Sequence, residues 1–147
     1  IVKNSKDKQV GGVDINPDAI EEAKRVFTNG LFRVANSNNV LMSDKSTDVV
    51  LSDMHLIYVS PFNISSYIKE MKRISRNRIM LCEFHSTSWW KRLKLRITTG
   101  YNAYNYKKIL TKHGFYDIMV YKIPEEGWPD SPKLSEFRHI IIAKKGH

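Results

Sequence analysis

The chain has 147 residues, of which 41% are hydrophobic and 27% are charged, and its formal net charge is +9. This length and composition are those of one ordinary globular domain and exclude a disordered chain. Apolar runs stay shorter than the roughly 18 residues that a membrane span needs. Lys3, Lys6, Asp7 and Lys8 interrupt the pattern of a signal peptide. The single cysteine, Cys82, excludes an internal disulfide framework and predicts a reducing, cytoplasmic location.

The positive charge is concentrated in one stretch of the chain. Residues 69–112 hold twelve basic and two acidic side chains. A basic region of this kind attracts anions, which include nucleic acid, lipid headgroups and phosphorylated small molecules. A solvated face that aids solubility explains the same pattern, and the sequence leaves the two interpretations open.

The first part of the chain reads as strand, helix, strand. QVGGVDI, at residues 9–15, predicts a short strand whose two glycines indicate close approach of another backbone. Asn16 as N-cap and Pro17 at the first helical position open a helix that we expect to end near Phe27. A second short strand is predicted over residues 31–35.

The second part continues the alternation. The run DVVLS at residues 48–52 predicts a strand covered on both faces, because its apolar residues are continuous. The elements predicted after it are a helix that opens at Ser60 and Pro61, a strand at 78–84, an irregular basic segment at 85–103 in which WWKRLKLRI also has helical spacing, a helix at 104–113 closed by Gly114, and strands at 116–123 and 137–144. A turn-rich connection with Pro124, Gly127, Pro129 and Pro132 joins the last two strands, so we expect them to pair antiparallel.

This order predicts an α/β fold, a Rossmann-like three-layer sandwich. Its sheet should be mostly parallel, with an antiparallel strand at the C-terminal end of the chain. In an open α/β sheet, ligands bind at the carboxyl ends of the strands. That rule selects four groups of positions: Asp14, Ile15 and Asn16; Asn36 and Ser37; residues 52–58; and Glu83, Phe84 and His85.

Asp14 is the most informative of these positions. An acid at the end of a strand, just before a capped helix, can accept hydrogen bonds from two adjacent ribose hydroxyls. It can equally act as a second cap for the helix that begins at Pro17, and the spacing does not separate the two roles.

The residues around Asp14 carry a resemblance to a known family. GVDINPDAIEEAK resembles the second motif of class I S-adenosylmethionine-dependent methyltransferases. Later stretches follow the family's order: STDVVLSDMHLIYVSP resembles its fourth-strand region, SSYIKEMKRIS the next helix, RIMLCEF the fifth strand, and KKILTKHGFYDI the last helix with its Gly-Phe exit. The resemblance spans from about Val10 to Lys144. The layout is most similar to small-molecule methyltransferases, including those of nonulosonic sugar pathways.

The resemblance implies S-adenosylmethionine as cofactor, a small-molecule acceptor and a set of site residues. Asp14, with Ile15 and Asn16 beside it, would bind the ribose and one face of the adenine, and Asn36 or Ser37 would contact the adenine edge. Ser52 and Asp53 would line the floor under the methionine part. His55 and Tyr58 are the candidates for a base or orienting group. Glu83, His85 and Trp89 would face the substrate, with Trp89 in a basic, aromatic, lid-like insertion at about 85–104 of a single partial methyltransferase domain.

The family's first motif is missing. A strand and a glycine-rich turn should precede Asp14, where 13 residues stand. The family places that strand between the strands predicted at 9–15 and 48–52, so we expect the sequence to be a fragment of a longer protein. Residues 1–5 resemble the end of the helix that follows the missing turn.

Three other functions remain open from the sequence. RNA methylation fits the basic stretch at 69–112, and a non-catalytic binding or scaffold module fits the missing glycine turn. A nicotinamide-dependent Rossmann enzyme also places an acid after its second strand. No metal site is predicted, because the five histidines lack ligand spacing. The oligomeric state is not predicted.

Overall fold

The structure is a computed structural model that describes residues 9–127 and 132–146. Contacts divide the chain into unit 1, Ile1–Met42, and unit 2, Ser43–His147. Unit 1 has the order strand, helix, strand, and unit 2 combines four strands with three α-helices in its described residues, which confirms the predicted α/β class. The helix end expected at residues 1–5 and the turn residue Pro129 lie outside the described residues.

Unit 1 is a strand–helix–strand unit. Its elements are β1 (Gly11–Asp14), α1 (Pro17–Val26) and β2 (Leu31–Val34). The two strands are parallel, with Gly11 opposite Leu31 and Asp14 opposite Val34. A Cβ at Gly11 would lie 2.5 Å from the carbonyl oxygen of Leu31, so the backbone approach predicted from the glycines is present.

The start of α1 follows the predicted cap. The Asn16 side chain accepts a hydrogen bond of 2.9 Å from the backbone N–H of Asp18, and Pro17 is the first helical residue. This bond satisfies one of the amides that the first turn of a helix leaves without a partner. The helix ends at Val26, one residue before the expected end, and Phe27 is its C-cap.

Unit 2 contains the larger sheet. Its elements are β3 (Thr47–Asp53), α2 (Ile64–Ile74), β4 (Ser75–Phe84), α3 (Trp89–Thr99), α4 (Tyr106–Lys112), β5 (Phe115–Lys122) and β6 (Arg138–Lys145). The strand order is β3-β4-β6-β5. β3 and β4 are parallel, whereas β6 runs antiparallel to both β4 and β5. The antiparallel pairing of the last two strands is therefore confirmed. Because β6 alone runs against its neighbours, β3, β4 and β5 share one direction, as predicted for a mostly parallel sheet with an antiparallel C-terminal strand.

One face of this sheet holds the main core. Ile68 of α2 and Leu110 of α4 are fully buried there with Ile79 of β4 and other strand residues. On β3, Val50 packs against this core, whereas Val49 and Leu51 point to the opposite face and are each 48% exposed. The continuous apolar run predicted that both faces of this strand are buried. Among the described residues, only the face of β3 that carries Val50 is packed against the core.

Two helices differ from their predicted form. α2 begins at Ile64 after the N-cap Asn63, because residues 61–63 form a turn after Ser60. The segment 85–103 is not irregular: Ser88 caps α3, and Gly100 ends it in the left-handed conformation at φ 77°. Gly114 has φ 76° just after the C-cap of α4, as predicted.

Candidate functional site

In unit 1, the predicted cofactor-binding residues lie together at one end of the parallel pair. Asp14 is the last residue of β1, and its carbonyl oxygen accepts a hydrogen bond of 3.0 Å from the Ala35 N–H just beyond β2. Asn36 and Ser37 follow Ala35 directly. Because the strands are parallel, all these residues lie at the carboxyl ends, where α/β sheets bind ligands.

The side chain of Asp14 is exposed and shapes the turn into α1. Its Oδ1 accepts a hydrogen bond of 2.8 Å from the Asn16 N–H. Asn16, not Asp14, caps the helix through the Asp18 N–H. A carboxylate has about four acceptor sites on its two oxygens. Asp14 therefore retains acceptor capacity beyond the turn that it stabilises.

Two neighbours extend this edge of unit 1. Ile15, next to Asp14, is a large apolar side chain that is 71% exposed. Asn36 accepts a hydrogen bond of 3.2 Å from the Asn38 N–H through its side chain, which forms a turn after β2. Unit 1 thus presents a carboxylate, an exposed apolar side chain and an amide at one edge.

In unit 2, a buried carboxylate organises the carboxyl end of β3. Glu83, on β4, is 0% exposed, and its Oε1 accepts three hydrogen bonds. The donors are the Ser52 hydroxyl at 2.7 Å, the His55 N–H at 3.0 Å and the Leu56 N–H at 3.0 Å. Ser52 is itself buried, so its hydroxyl serves this network. Glu83 thereby attaches the segment after β3 to β4.

That segment begins with a strained residue. Met54 has φ 50°, in the left-handed region that non-glycine residues rarely adopt, and its N–H donates to the Cys82 carbonyl oxygen at 2.9 Å. Asp53, just before Met54, is exposed, and so are His55 and Tyr58 in the turn that follows. The Tyr58 ring contacts that of Tyr101 edge-on, with 5.6 Å between centroids.

Two residues that the sequence analysis did not place in the site fix the other end of this turn. The Asn102 side chain donates to the carbonyl oxygens of Ile57 at 3.2 Å and Val59 at 3.1 Å. The hydroxyl of Tyr104 also donates to the Val59 carbonyl oxygen. Both residues are buried. Tyr104 lies at the end of the predicted aromatic insertion at about 85–104, but no local pattern in the sequence marks Asn102.

Burial changes the protonation of the two titratable groups at the end of β4. It raises the pKa of Glu83 to about 7, against the lowering effect of the bonds from Ser52, Leu56 and His55. Burial, followed by the nearby His139, lowers the pKa of His85 to about 4. At neutral pH, His85 is an uncharged ring whose Nδ1 accepts a hydrogen bond of 3.2 Å from the Tyr106 N–H.

The remaining candidates have simpler surroundings. Trp89 begins α3 and is exposed, with its ring stacked on Trp90 at 3.7 Å between centroids. Burial raises the pKa of the Cys82 thiol to about 12, so it carries no thiolate at neutral pH. Within residues 9–127 and 132–146, no cluster of three or more His, Cys, Asp or Glu side chains could hold a metal ion.

The family of the chain follows from its sequence. A family model described as a methyltransferase domain matches residues 1–78, more than half of the chain. The chain belongs to this methyltransferase-domain family. The predicted resemblance to methyltransferases is thereby confirmed. No curated protein sequence matches the chain.

Solved structures show the fold of this methyltransferase domain. A SAM-dependent methyltransferase from Methanosarcina mazei is 22% identical with a TM-score of 0.71, and the match covers 97% of this chain and 84% of that one. One from Archaeoglobus fulgidus is 19% identical with a TM-score of 0.66, over 92% of this chain and 75% of that one. A geranyl diphosphate methyltransferase solved with SAM is 14% identical with a TM-score of 0.69, over 99% and 73%. These likenesses confirm the Rossmann-like fold.

The structure brings the predicted residues of the methyltransferase domain together in two groups. Asp14, Ile15, Asn16, Asn36 and Ser37 lie at the end of the parallel pair in unit 1. In unit 2, Ser52 and Glu83 are linked by a hydrogen bond, and Glu83 also binds the backbone of His55. Asp53 and Tyr58 lie on the same β3 end and turn, His85 follows β4, and Trp89 begins α3.

Proposed function

We propose that this methyltransferase domain uses S-adenosylmethionine to methylate a small-molecule acceptor. The observation that carries the proposal is the exposed carboxylate of Asp14 at the carboxyl end of β1. Such a carboxylate can accept hydrogen bonds from two adjacent ribose hydroxyls. The structural neighbour solved with SAM, a geranyl diphosphate methyltransferase, supports the same cofactor and a small acceptor.

The residues of unit 1 fit the nucleoside part of this cofactor. Asp14 uses Oδ1 for the Asn16 N–H and keeps acceptor sites for hydroxyl donors. Ile15 exposes an apolar side chain beside it, which suits one face of an adenine ring. The polar groups of Asn36 and Ser37, beyond the neighbouring strand, suit the adenine edge. Asn16 supports these contacts by capping α1 and holding the turn.

The residues of unit 2 serve the acceptor in this proposal. The bound cofactor supplies a sulfonium methyl group with a good leaving group, so the protein contributes mainly positioning and exclusion of water. His55 and Tyr58, exposed on the turn after β3, accept or orient a proton of the acceptor. Ser52 and Asp53 present backbone at the end of the strand.

Glu83 acts in the proposal as a positioning residue, and not as a group that faces the substrate. Its carboxylate is fully buried and bound to Ser52, His55 and Leu56. It therefore positions the backbone of His55.

His85 is buried too, and its uncharged ring accepts a hydrogen bond from the Tyr106 N–H. Trp89 remains exposed for contact with a ligand.

Titration calorimetry with S-adenosylhomocysteine tests the proposal. We expect Asp14→Asn to weaken binding by about tenfold or more, because it removes charge-assisted hydrogen bonds to the ribose. Asp18→Asn is the matched control, because Asp18 is an exposed acid in the first turn of α1 and its loss should leave affinity unchanged. Absence of binding to the unaltered protein, or equal effects of the two variants, would overturn the proposal.

RNA is the second candidate for the acceptor, and a basic cleft in unit 2 favours it. The cleft has a volume of about 310 Å³, and its lining includes Lys45, Lys69, Lys72, His113 and Lys145. Burial, and after it the neighbouring cations, lower the pKa values of His113 and Lys145. Filter binding to RNA at several salt concentrations separates the candidates: RNA binding should fall steeply with salt, whereas absent or salt-independent binding leaves the small molecule.

A further inference from the structure

The solvent side of α3 is apolar. Four side chains of this helix are between 41% and 75% exposed: Trp89, Trp90, Leu93 and Ile97. Single exposed apolar residues are ordinary, but a contiguous exposed group marks a contact surface. We call these four residues the apolar arc.

The apolar arc faces directly away from the core. At about 100° per residue, its four members span about 100° of the helix circumference. Leu95 is the buried residue of α3, and it packs in a cluster with Phe84 and Phe137. By the same spacing, Leu95 lies about 190° from the centre of the arc. The helix is thus attached to unit 2 by one side and presents the arc on the other.

Cations border the apolar arc on both sides. By the same spacing, Arg96 and Arg92 follow one edge of the arc and Lys94 follows the other. Lys91, farther round, pairs with Glu136 at 2.7 Å. The helix sequence, WWKRLKLRITT, contains no acid. An apolar face with cations along both edges is the pattern of a helix that lies in a lipid–water interface.

The helix is already formed, so binding does not require it to fold. Ser88 caps its N-terminus by accepting a hydrogen bond from the Lys91 N–H at 3.4 Å. Gly100 ends it, and the Gly100 N–H donates to the Arg96 carbonyl oxygen at 2.9 Å. Side chains on a folded helix lose less conformational entropy on binding than a disordered segment does.

We propose that α3 binds this protein to the surface of a membrane that contains anionic lipids. The apolar arc enters the boundary between headgroups and acyl chains, while Arg92, Arg96 and Lys94 extend to the anionic headgroups. The contact is peripheral: in the part of the chain that the structure describes, no helix is long and apolar enough to cross a membrane. The proposal shares Trp89 with the acceptor contact proposed above, but it rests on the whole arc and its cations and does not require a particular cofactor or acceptor.

Charge favours a lipid surface over a second copy of the chain. A symmetric dimer places the same patch on both partners. The flanking cations of one copy would then lie close to those of the other, and α3 offers no acid to pair with them. An anionic lipid surface neutralises the same cations.

Tryptophan fluorescence with vesicles tests the proposal. The chain has three tryptophans, so a Trp128→Phe background leaves Trp89 and Trp90 as the emitters. Titration with phosphatidylcholine vesicles that contain about one third phosphatidylglycerol should shift the emission to shorter wavelength. Brominated acyl chains should quench it. Pure phosphatidylcholine vesicles should bind about tenfold more weakly, because the headgroup attraction of the cations is lost.

Matched variants distinguish binding through the apolar arc from nonspecific hydrophobic binding to vesicles. Leu93→Gln with Ile97→Gln should lower the partition coefficient by about tenfold or more, since both changes remove exposed apolar surface from the arc. The control is Leu41→Gln with Phe62→Gln, two exposed apolar residues outside α3, which should leave partitioning unchanged. Arg92→Gln with Lys94→Gln should weaken binding to anionic vesicles alone, whereas Lys107→Gln with Lys108→Gln on α4 should have a smaller effect. Far-UV circular dichroism checks that each variant remains folded.

Three results would overturn the proposal. The first is no spectral shift with any vesicle. The second is an equal loss of binding in the arc variant and its control. The third is a dimer, seen by light scattering, that the arc variant abolishes and in which Trp89 and Trp90 are protected from quenching by acrylamide. In that case a second copy of the chain would cover the arc.

Discussion

At the scale of single residues, Glu83 is held by bonds to one oxygen only. Oε1 accepts three hydrogen bonds, whereas Oε2 has no partner among the described residues. The Tyr106 hydroxyl is likewise buried without a partner there, and burial together with the Glu83 charge raises its pKa. A charged Glu83 therefore leaves a buried oxygen unsatisfied, which is the physical reason that its pKa rises to about 7.

Glu83 should make the folded state less stable as the pH rises. Its folded pKa of about 7 lies above the ordinary value of 4.5, so the folded state holds the proton more tightly. Stability from this group is present below about pH 4.5 and is lost as the pH rises to about 7, by up to about 3 kcal/mol. Glu83→Gln keeps an acceptor for the three bonds and removes the titration. The free energy of unfolding of Glu83→Gln, minus that of the unaltered protein, should therefore increase over this pH range in urea titrations.

The exposed Glu126 provides the control for this measurement. Glu126→Gln removes one exposed carboxyl and serves as the matched control, and the stability of each variant at each pH is compared with that of the unaltered protein. Parallel curves for Glu83→Gln would show that the buried carboxylate does not titrate near neutral pH.

His85 should have the opposite effect. Its folded pKa of about 4 lies below the ordinary value of 6.5, so the unfolded chain takes up the proton first as the pH falls. Stability from His85 is present above about pH 6.5 and is lost as the pH falls to about 4. The slopes of Glu83 and His85 oppose one another where their windows overlap. The Glu83→Gln variant should reveal the His85 slope, and adding His85→Gln should remove it; persistence of the slope would contradict the assignment.

At the scale of elements, the turn after β3 is held from two directions. Glu83 binds its start from β4, and Asn102 binds its end from the segment before α4. Met54 occupies the left-handed region at the beginning of the turn. Strain of this kind persists where surrounding bonds determine the conformation. The turn that carries His55 and Tyr58 is therefore a product of packing between elements.

Asn102→Ala should loosen this turn. The variant removes the side-chain donor to Ile57 and Val59 in a buried setting, at a cost of about 1–3 kcal/mol in stability. Amide hydrogen exchange over residues 54–59 should become faster, and denaturant unfolding should give the cost. Asn63→Ala is the control, because the Asn63 side chain makes no capping bond to α2, and it should change stability by about 0.5 kcal/mol or less. Similar effects of both variants would contradict the proposed anchor.

At the scale of the whole molecule, the two units differ in the size of the sheet and of the hydrophobic core that stabilise them. In its described residues, 9–42, unit 1 contains a two-stranded parallel sheet and one helix, whereas the described part of unit 2 contains a four-stranded sheet with the larger hydrophobic core. A two-stranded sheet is marginally stable unless other elements support it. The larger core of unit 2 should therefore determine the global stability.

Amide hydrogen exchange should show this difference directly. We expect the amides of β1 and β2 to exchange at least about tenfold faster than those of β4 and β6, because small units open locally at lower free energy. The comparison uses equally hydrogen-bonded strand positions within each sheet, measured by mass spectrometry on the unaltered protein. Equal protection of the two sheets would contradict this expectation.

The local order of the chain was accessible from the sequence. The periodicity of apolar residues and the caps at Asn16 and Gly114 predicted the alternation of strands and helices. The turn-rich connection before the last strand predicted its antiparallel pairing, which is confirmed. The expectation that residues 85–103 are irregular was wrong, whereas the helical spacing of WWKRLKLRI is confirmed by α3, which Ser88 caps and which packs through Leu95 against Phe84 and Phe137.

The α/β class, the family and the position of Asp14 can be predicted from the amino-acid sequence, because they depend on short-range patterns. Packing between distant elements makes Glu83 a buried anchor, since its bonds reach residues 27 to 31 positions away. The same packing lets Asn102 hold a turn 43 to 45 positions away. Burial of a polar group depends on what packs around it, and no local pattern encodes those distant neighbours.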